Sequence, residues 1–167
     1  MPRHSTPPAT ADAFPQDAWL ALDRQLCFAL YSASLAMTKM YKPLLAPLGL
    51  TYPQYLVMLA LWEEDAQTVS ALGERLALDS GTLTPLLKRL QAQGTLTRER
   101  DAVDERRVIV RLSAAGRALK TQARKVPPQV ARATGCELSE IAELTRQLGA
   151  LRDSLGRAGA PPAAASH

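Results

Sequence analysis

The sequence predicts a mainly α domain with one small β wing, and three observations predict it. Apolar residues recur at helical spacing along most of the chain. Two β-prone runs flank a single charged tip between Gly94 and Ser113. That hairpin directly follows two short helical stretches separated by a tight turn. Together they read as a winged helix-turn-helix flanked by N- and C-terminal helices that serve dimerisation.

From Asp17 to about Leu45, residues Leu20, Leu22, Leu26, Leu30, Leu35, Met37 and Met40 give a broad apolar helical surface, with Pro43 and Pro47 expected to bend or stop the helix. Thr51 and Pro53 suit the N-cap and first turn of a second helix, whose Leu56, Leu59 and Ala60 should face inward and which ends at Glu63-Glu64-Asp65. Both helices read as buried. Thr68 or Ser70 opens a short third helix to Leu76, and Leu78-Asp79-Ser80-Gly81 reads as the turn. The next helix carries Leu83, Leu86, Leu87 and Leu90 and stops at Gln93-Gly94; Pro85 fits if that helix begins near Gly81 or Thr82, where first-turn amides have no acceptor to lose.

Thr95 to Arg98 and Val108 to Leu112 form the hairpin around Asp101-Ala102-Val103-Asp104-Glu105-Arg106. Ser113 caps a further helix, Pro127-Pro128 breaks it, and Glu137 to Leu155 supplies a last amphipathic helix through Leu138, Ile141, Leu144, Leu148 and Leu151.

With 167 residues, 47% apolar content and two cysteines, the chain can bury one core without a disulfide framework. The expected domain covers 17–155, with a DNA-binding core at about 51–112, dimerisation helices at about 17–47 and 114–155, and disordered tails at 1–16 and 156–167. The longest unbroken apolar run, Tyr55 to Trp62, is far short of the roughly 20 residues of a membrane span. No signal core precedes the domain, so a cytoplasmic protein with a reduced thiol and no membrane partner is expected.

The net charge of +4 permits an anionic partner without establishing one. Its distribution says more. From Lys88 to Arg111 seven cations stand against four anions, so this stretch holds three of the four net charges. In a helix-turn-helix the second helix enters the major groove by its N-terminal end, where short polar side chains reach bases and longer cations reach phosphates. Ser80, Thr82 and Thr84 lie at that end, Lys88 and Arg89 a turn further, and the hairpin adds Arg98, Arg100, Arg106, Arg107 and Arg111. Either cluster alone would read as a solvated surface; the turn, the capped helix and the cationic wing together point to double-stranded DNA. Asp104 is expected to orient Arg106 toward the minor groove.

Cys27 sits early in the long apolar helix. On an apolar helix a cysteine reads by default as a small packed hydrophobe, because reactivity needs a group that stabilises a thiolate. Asp23 at i−4 opposes ionisation, and no His or Lys lies within a turn. Tyrosine hydroxyls are the remaining donors. Tyr31 is one turn away, whereas Tyr41 is 14 residues on, about 21 Å along a straight helix, and could reach only the thiol of another subunit in a symmetric dimer. Cys136, after Gly135, reads equally as a bystander.

The segments Leu26-Cys27-Phe28-Ala29-Leu30-Tyr31, Met37-Thr38-Lys39-Met40-Tyr41-Lys42-Pro43-Leu44-Leu45 and Leu50-Thr51-Tyr52-Pro53-Gln54-Tyr55-Leu56 closely resemble the organic hydroperoxide resistance regulators of the MarR family. So do Leu78 to Arg89 and Asp104-Glu105-Arg106-Arg107-Val108. The likeness runs from about Leu22 to about Ala118. General MarR proteins share the winged helix but not the set of Cys27, Tyr41 and Tyr52. The resemblance implies a homodimeric repressor whose Cys27 is hydrogen-bonded by Tyr41 and Tyr52 of the other subunit and is oxidised by organic hydroperoxides. It also implies release from a pseudo-palindromic operator that controls a peroxide-detoxification gene. In the two-cysteine branch a C-terminal cysteine resolves the sulfenic acid as an intersubunit disulfide, the role Cys136 would take.

Two rival functions stay in view. One is a MarR-type regulator that responds to a small aromatic ligand with Cys27 merely packed; the other is a thiol peroxidase. Nothing near Cys27 supplies a basic transition-state clamp, so no enzyme is expected. No cofactor is expected either, and no metal, since His4 and His167 lie in the tails and the two cysteines are far apart in sequence.

Overall fold

The computed structural model describes residues 20–158, so the expected tail at 1–16 and most of that at 156–167 lie outside the described residues. The chain divides into two units, residues 1–39 and 40–167. A 3₁₀ turn at Leu22–Arg24 precedes α1 (Leu26–Leu45). The regular helix therefore starts well after Asp17. The turn closes only i→i+3 bonds, and the extended backbone of Gln25 (φ −83°, ψ 115°) separates it from α1.

Pro43 stands inside α1 without stopping it, and the helix runs on to Leu45. Pro47 sits in the next 3₁₀ turn, Ala46–Leu48, and Gly49 closes it at φ 66°. The expectation of a buried first helix fails in the single chain: only Leu45 is buried, while Leu26, Phe28, Tyr31, Leu35 and Met37 are exposed.

Within the second unit, α2 (Tyr52–Glu63) opens on a capping box. The backbone N–H of Thr51 donates to the Gln54 side chain at 2.9 Å, and Gln54 N–H donates back to Thr51 Oγ1. Val57, Met58 and Leu61 take the core positions of this helix; Leu56 and Leu59, expected inside, are half-buried. A helix apolar on nearly all sides is one surrounded by other elements.

Strand β1 (Gln67–Thr68) leads into α3 (Val69–Leu76), capped by Thr68 Oγ1 accepting from Ala71 N–H at 3.1 Å. Ala77, at φ 53°, ends α3, and α4 (Ser80–Ala92) begins at once from Asp79. The wing is β2 (Leu96–Arg100) and β3 (Val108–Leu112), paired antiparallel with Arg98 opposite Val110. Two-residue β1 adds to the other edge of β3, giving the order β1-β3-β2.

Ser113 caps α5 (Ala114–Ala123) through Gly116 N–H at 3.0 Å. Pro127 and Pro128 do not merely interrupt: they lie in the opening turn of α6 (Val126–Thr134), where a missing N–H costs nothing. α7 (Leu138–Ala158) extends past the expected end at Leu155 into the segment read as tail, and its Leu144, Leu148 and Leu155 are exposed. The core joins Leu45, Met58 and Leu61 to Leu72, Leu83, Leu87, Leu90, Leu96 and Val110, all essentially inaccessible. Among the described residues no single helix is long and apolar enough to cross a membrane.

Candidate DNA interface and thiol sites

Asp79 organises the start of α4. Its carboxylate accepts the backbone N–H of Thr82 at 2.8 Å and the Thr82 hydroxyl at 2.9 Å. These two bonds, the backbone one first, hold the Asp79 carboxyl below its ordinary range. Anchoring here lets α4 begin at Ser80, one or two residues earlier relative to Pro85 than expected. Pro85 is therefore inside the helix, not in its first turn. The carbonyl it leaves without a partner is that of Gly81, at an exposed position that water can satisfy.

Leu83, Leu87 and Leu90 bury one face of α4, which leaves Ser80, Thr82, Lys88 and Arg89 exposed and Thr84 half-buried. Arg98, on β2, donates to Gln91 Oε1 at 2.7 Å and ties the wing to α4.

At the wing tip, Asp101 N–H donates to the Arg107 carbonyl at 2.9 Å, and Arg107 N–H to that of Asp104 at 2.8 Å. Asp104 Oδ1 accepts both the backbone N–H and the side-chain Nε–H of Arg106, each at 3.1 Å. The Arg106 side chain is 92% exposed and held at its root by that carboxylate. Arg107 is exposed beside it.

Cys27 is an exposed free thiol, and Cys136 a half-buried one whose S–H donates to the Thr134 carbonyl at 3.6 Å. Tyr41, near the end of α1, and Tyr52, at the start of α2, are brought together with ring centroids 4.7 Å apart; Tyr55 stands 5.9 Å from Tyr41. Burial, then the neighbouring Tyr52 and Tyr55, pushes the Tyr41 phenol up to about 12. Burial also raises Tyr52 and Tyr55. All three therefore remain O–H donors at neutral pH. Among the described residues no group of three or more His, Cys, Asp or Glu is placed to hold a metal.

Sequence reasoning passed over four residues here. Asp79 was read as part of a turn, although an Asp three residues before Thr82 is a cap pattern. Tyr55 and Trp62 carry no signal in the sequence beyond bounding the apolar run between them. Asp65 was read as the end of an acidic run, yet its carboxylate accepts Leu112 N–H at 2.8 Å and pairs with Arg117 at 2.9 Å.

The family model for the transcriptional regulators SarA/Rot matches residues 39–123. The regulator TtmR of Methylorubrum extorquens is 49% identical over 159 residues, covering 95% of this chain and 80% of that protein. The organic hydroperoxide resistance transcriptional regulator of Bacillus subtilis is 54% identical over 108 residues, 65% of this chain and 74% of the relative. Among solved structures, reduced AbfR bound to DNA superposes with a TM-score of 0.70 at 36% identity, over 85% of this chain and 96% of AbfR. AbfR has also been solved overoxidised on DNA and with a disulfide formed. The chain accordingly belongs to the MarR family of winged-helix transcriptional regulators, in the group of the organic hydroperoxide resistance regulators and their SarA/Rot kin, and it is not an enzyme.

Proposed function

We propose that the protein is a redox-sensing repressor that binds operator DNA as a reduced homodimer and leaves it when an organic hydroperoxide oxidises Cys27. The observation that carries this reading is the Tyr41–Tyr52 pair: two phenols 4.7 Å apart, held as donors, in a chain whose cysteine is exposed on an uncovered apolar helix. A second copy would cover that helix and let Tyr41 and Tyr52 donate to Cys27 of the partner subunit. An apolar surround would favour alkyl hydroperoxides over strongly hydrated hydrogen peroxide.

The Cys27 thiolate attacks the terminal oxygen of the hydroperoxide. An S–O bond forms, the O–O bond breaks, and the alkoxide leaves and takes a proton to become an alcohol. Sulfur is oxidised by two electrons to the sulfenic acid. Condensation with the Cys136 thiol of the other subunit expels water and forms a disulfide. AbfR, solved with a disulfide formed, supports a covalent state of this kind.

On DNA, Ser80, Thr82 and Thr84 face bases, Lys88, Arg89 and Arg107 contact phosphates, and Arg106, steadied by Asp104, enters the minor groove. The released gene is one for peroxide detoxification.

Operator gel shifts of wild type and Cys27→Ser, with and without cumene hydroperoxide, test the reading. Wild type should release on oxidation and Cys27→Ser should stay bound; a serine variant that still releases removes the sensing role. On non-reducing gels, a covalent dimer lost in Cys136→Ser supports resolution, whereas monomer throughout removes it.

One observation favours a second reading. Tyr55, Leu59, Trp62, Glu63, Lys120 and Arg124 line a mostly apolar pocket of about 200 Å³, whose two cations against one carboxylate suit a small aromatic acid. Release by such a compound without oxidant would support it.

A further inference from the structure

The Tyr41–Tyr52 pair is the near end of a longer arrangement along α2. Tyr55 lies 5.9 Å from Tyr41, and Trp62 meets Tyr55 edge-on at 6.3 Å. Tyr55 is 2% exposed and Trp62 8%, so neither ring can move without moving its neighbours.

Beyond Trp62 the contacts change from packing to directed bonds. The indole N–H of Trp62 donates to the Gly116 carbonyl at 2.9 Å, and Lys120 Nζ donates to the Trp62 carbonyl at 2.7 Å. Three residues on, Asp65 accepts Leu112 N–H and pairs with Arg117. These four bonds fasten the end of α2 to the segment from the last residue of β3 into α5. The same segment holds the other side of the wing, because Ser113 N–H donates to the Thr95 carbonyl at 3.1 Å and Ser113 Oγ to that of Gly94 at 2.6 Å. Both strands of the wing thus enter one bonded foot, and α2 is fixed to that foot.

A 12-residue helix is about 18 Å long and stiff, with the phenols at one end and the fastened tryptophan at the other. Packing alone would let the far end slip; a buried, directed bond has one geometry, and displacement of the near end must either carry the foot or break it. We propose that Trp62 is a positioning residue, which couples displacement of the Tyr41–Tyr52 pair to the foot of the wing through Gly116. The proposal rests on the thiol-sensing reading above.

Trp62→Phe keeps a ring against Tyr55 and removes the N–H donor. Reduced Trp62→Phe should bind operator within about twofold of wild type and form the Cys27 sulfenic acid, trapped with dimedone, at the wild-type rate. The loss of affinity on oxidation, on the order of 5- to 150-fold for coupled sites, should shrink to about twofold or less. Val130→Ala, in α6, serves as the control for mere destabilisation: it should melt lower yet keep the full oxidative loss.

A wild-type oxidative loss in Trp62→Phe overturns the proposal, and so does weakened reduced binding, which would make Trp62 a support of the DNA-binding form alone. Should Trp62→Phe not fold, Asp65→Asn decides by the same ratio: it keeps the acceptor for Leu112 N–H but gives up the Arg117 charge pair, so a diminished oxidative loss supports coupling through the foot and an undiminished one refutes it. Cys27→Ser, assayed alongside, separates the two failures, since its release by oxidant would overturn the sensing reading itself.

Discussion

Gly116→Ala is the sharpest test of how the wing is founded. A Cβ on Gly116 would stand 1.9 Å from the Thr95 carbonyl oxygen and 3.3 Å from Leu112 Cδ2. The first distance is roughly 1.5 Å short of ordinary contact, and the obstacle is backbone that cannot rotate away. The start of α5 must therefore move off Thr95, the residue that leads into β2. Overpacking costs about 1–3 kcal/mol, and the movement strains two bonds worth about 1 kcal/mol each, Trp62 to Gly116 and Ser113 to Thr95.

Alanine returns about 1 kcal/mol through its better helix propensity. The net is a loss of about 2–4 kcal/mol, which lowers the melting temperature by roughly 4–16 °C at 2–4 °C per kcal/mol for a chain of this size. The assay is thermal unfolding of the reduced protein at one fixed concentration, because dimerisation would make the midpoint concentration-dependent. A variant melting within about 1 °C of wild type, or above it, would refute the claim that α5 is seated against the Thr95 carbonyl.

Three further outcomes follow from the geometry. Arg106→Ala should weaken operator binding and reduce the slope of log affinity against log salt by about 1; a salt titration that overlays wild type removes Arg106 from the DNA contacts. Asp79→Ala should lower the melting temperature at neutral pH by stripping the cap from α4. The carboxyl of Asp79 is depressed in the folded state, so its stabilisation is present above its unfolded value and disappears as pH falls through the folded one; the wild-type advantage should vanish in acid, and an advantage that persists there contradicts the cap. Tyr41 titrates near 12 when folded and near 10 when unfolded, so its contribution is complete below pH 10 and lost as pH rises toward 12. Tyr41→Phe should therefore unfold less steeply with pH in that window, followed by circular dichroism, and an identical profile would deny the burial of this phenol.

The order of helices, turn, hairpin and helices was readable because each element carries its own local signal: Thr51 before Pro53 and Gln54, Thr68 before α3, Ser113 before α5, and β-prone runs about a charged tip. Strand β1 carries none. Two residues cannot show a period of two, and Gln67 and Thr68 become a strand only because the edge of β3 is beside them. The burial expected of α1 fails because apolar spacing marks one face of a helix without showing that anything in the same chain packs on it.

In the candidate site, Tyr41 and Tyr52 stood out through the family resemblance, and the structure brings their rings together. Tyr55 and Trp62 could not be distinguished from ordinary core by sequence, since an aromatic residue that bonds a distant carbonyl looks the same in one dimension as one that only fills space. Asp65 was hidden for the same reason: Leu112, whose amide it accepts, is 47 positions away.

Arg106 is bonded by Asp104 through both backbone and side chain before any nucleic acid arrives. An arginine already fixed by its own loop surrenders little freedom on docking, so less of its contact energy is consumed in ordering. It is also less able to adapt. In the proposed docking, a finger held this way rewards tracts whose groove already has the matching width and penalises those that must be squeezed to it, which would leave discrimination between sequences at the wing to the mechanical compliance of the DNA.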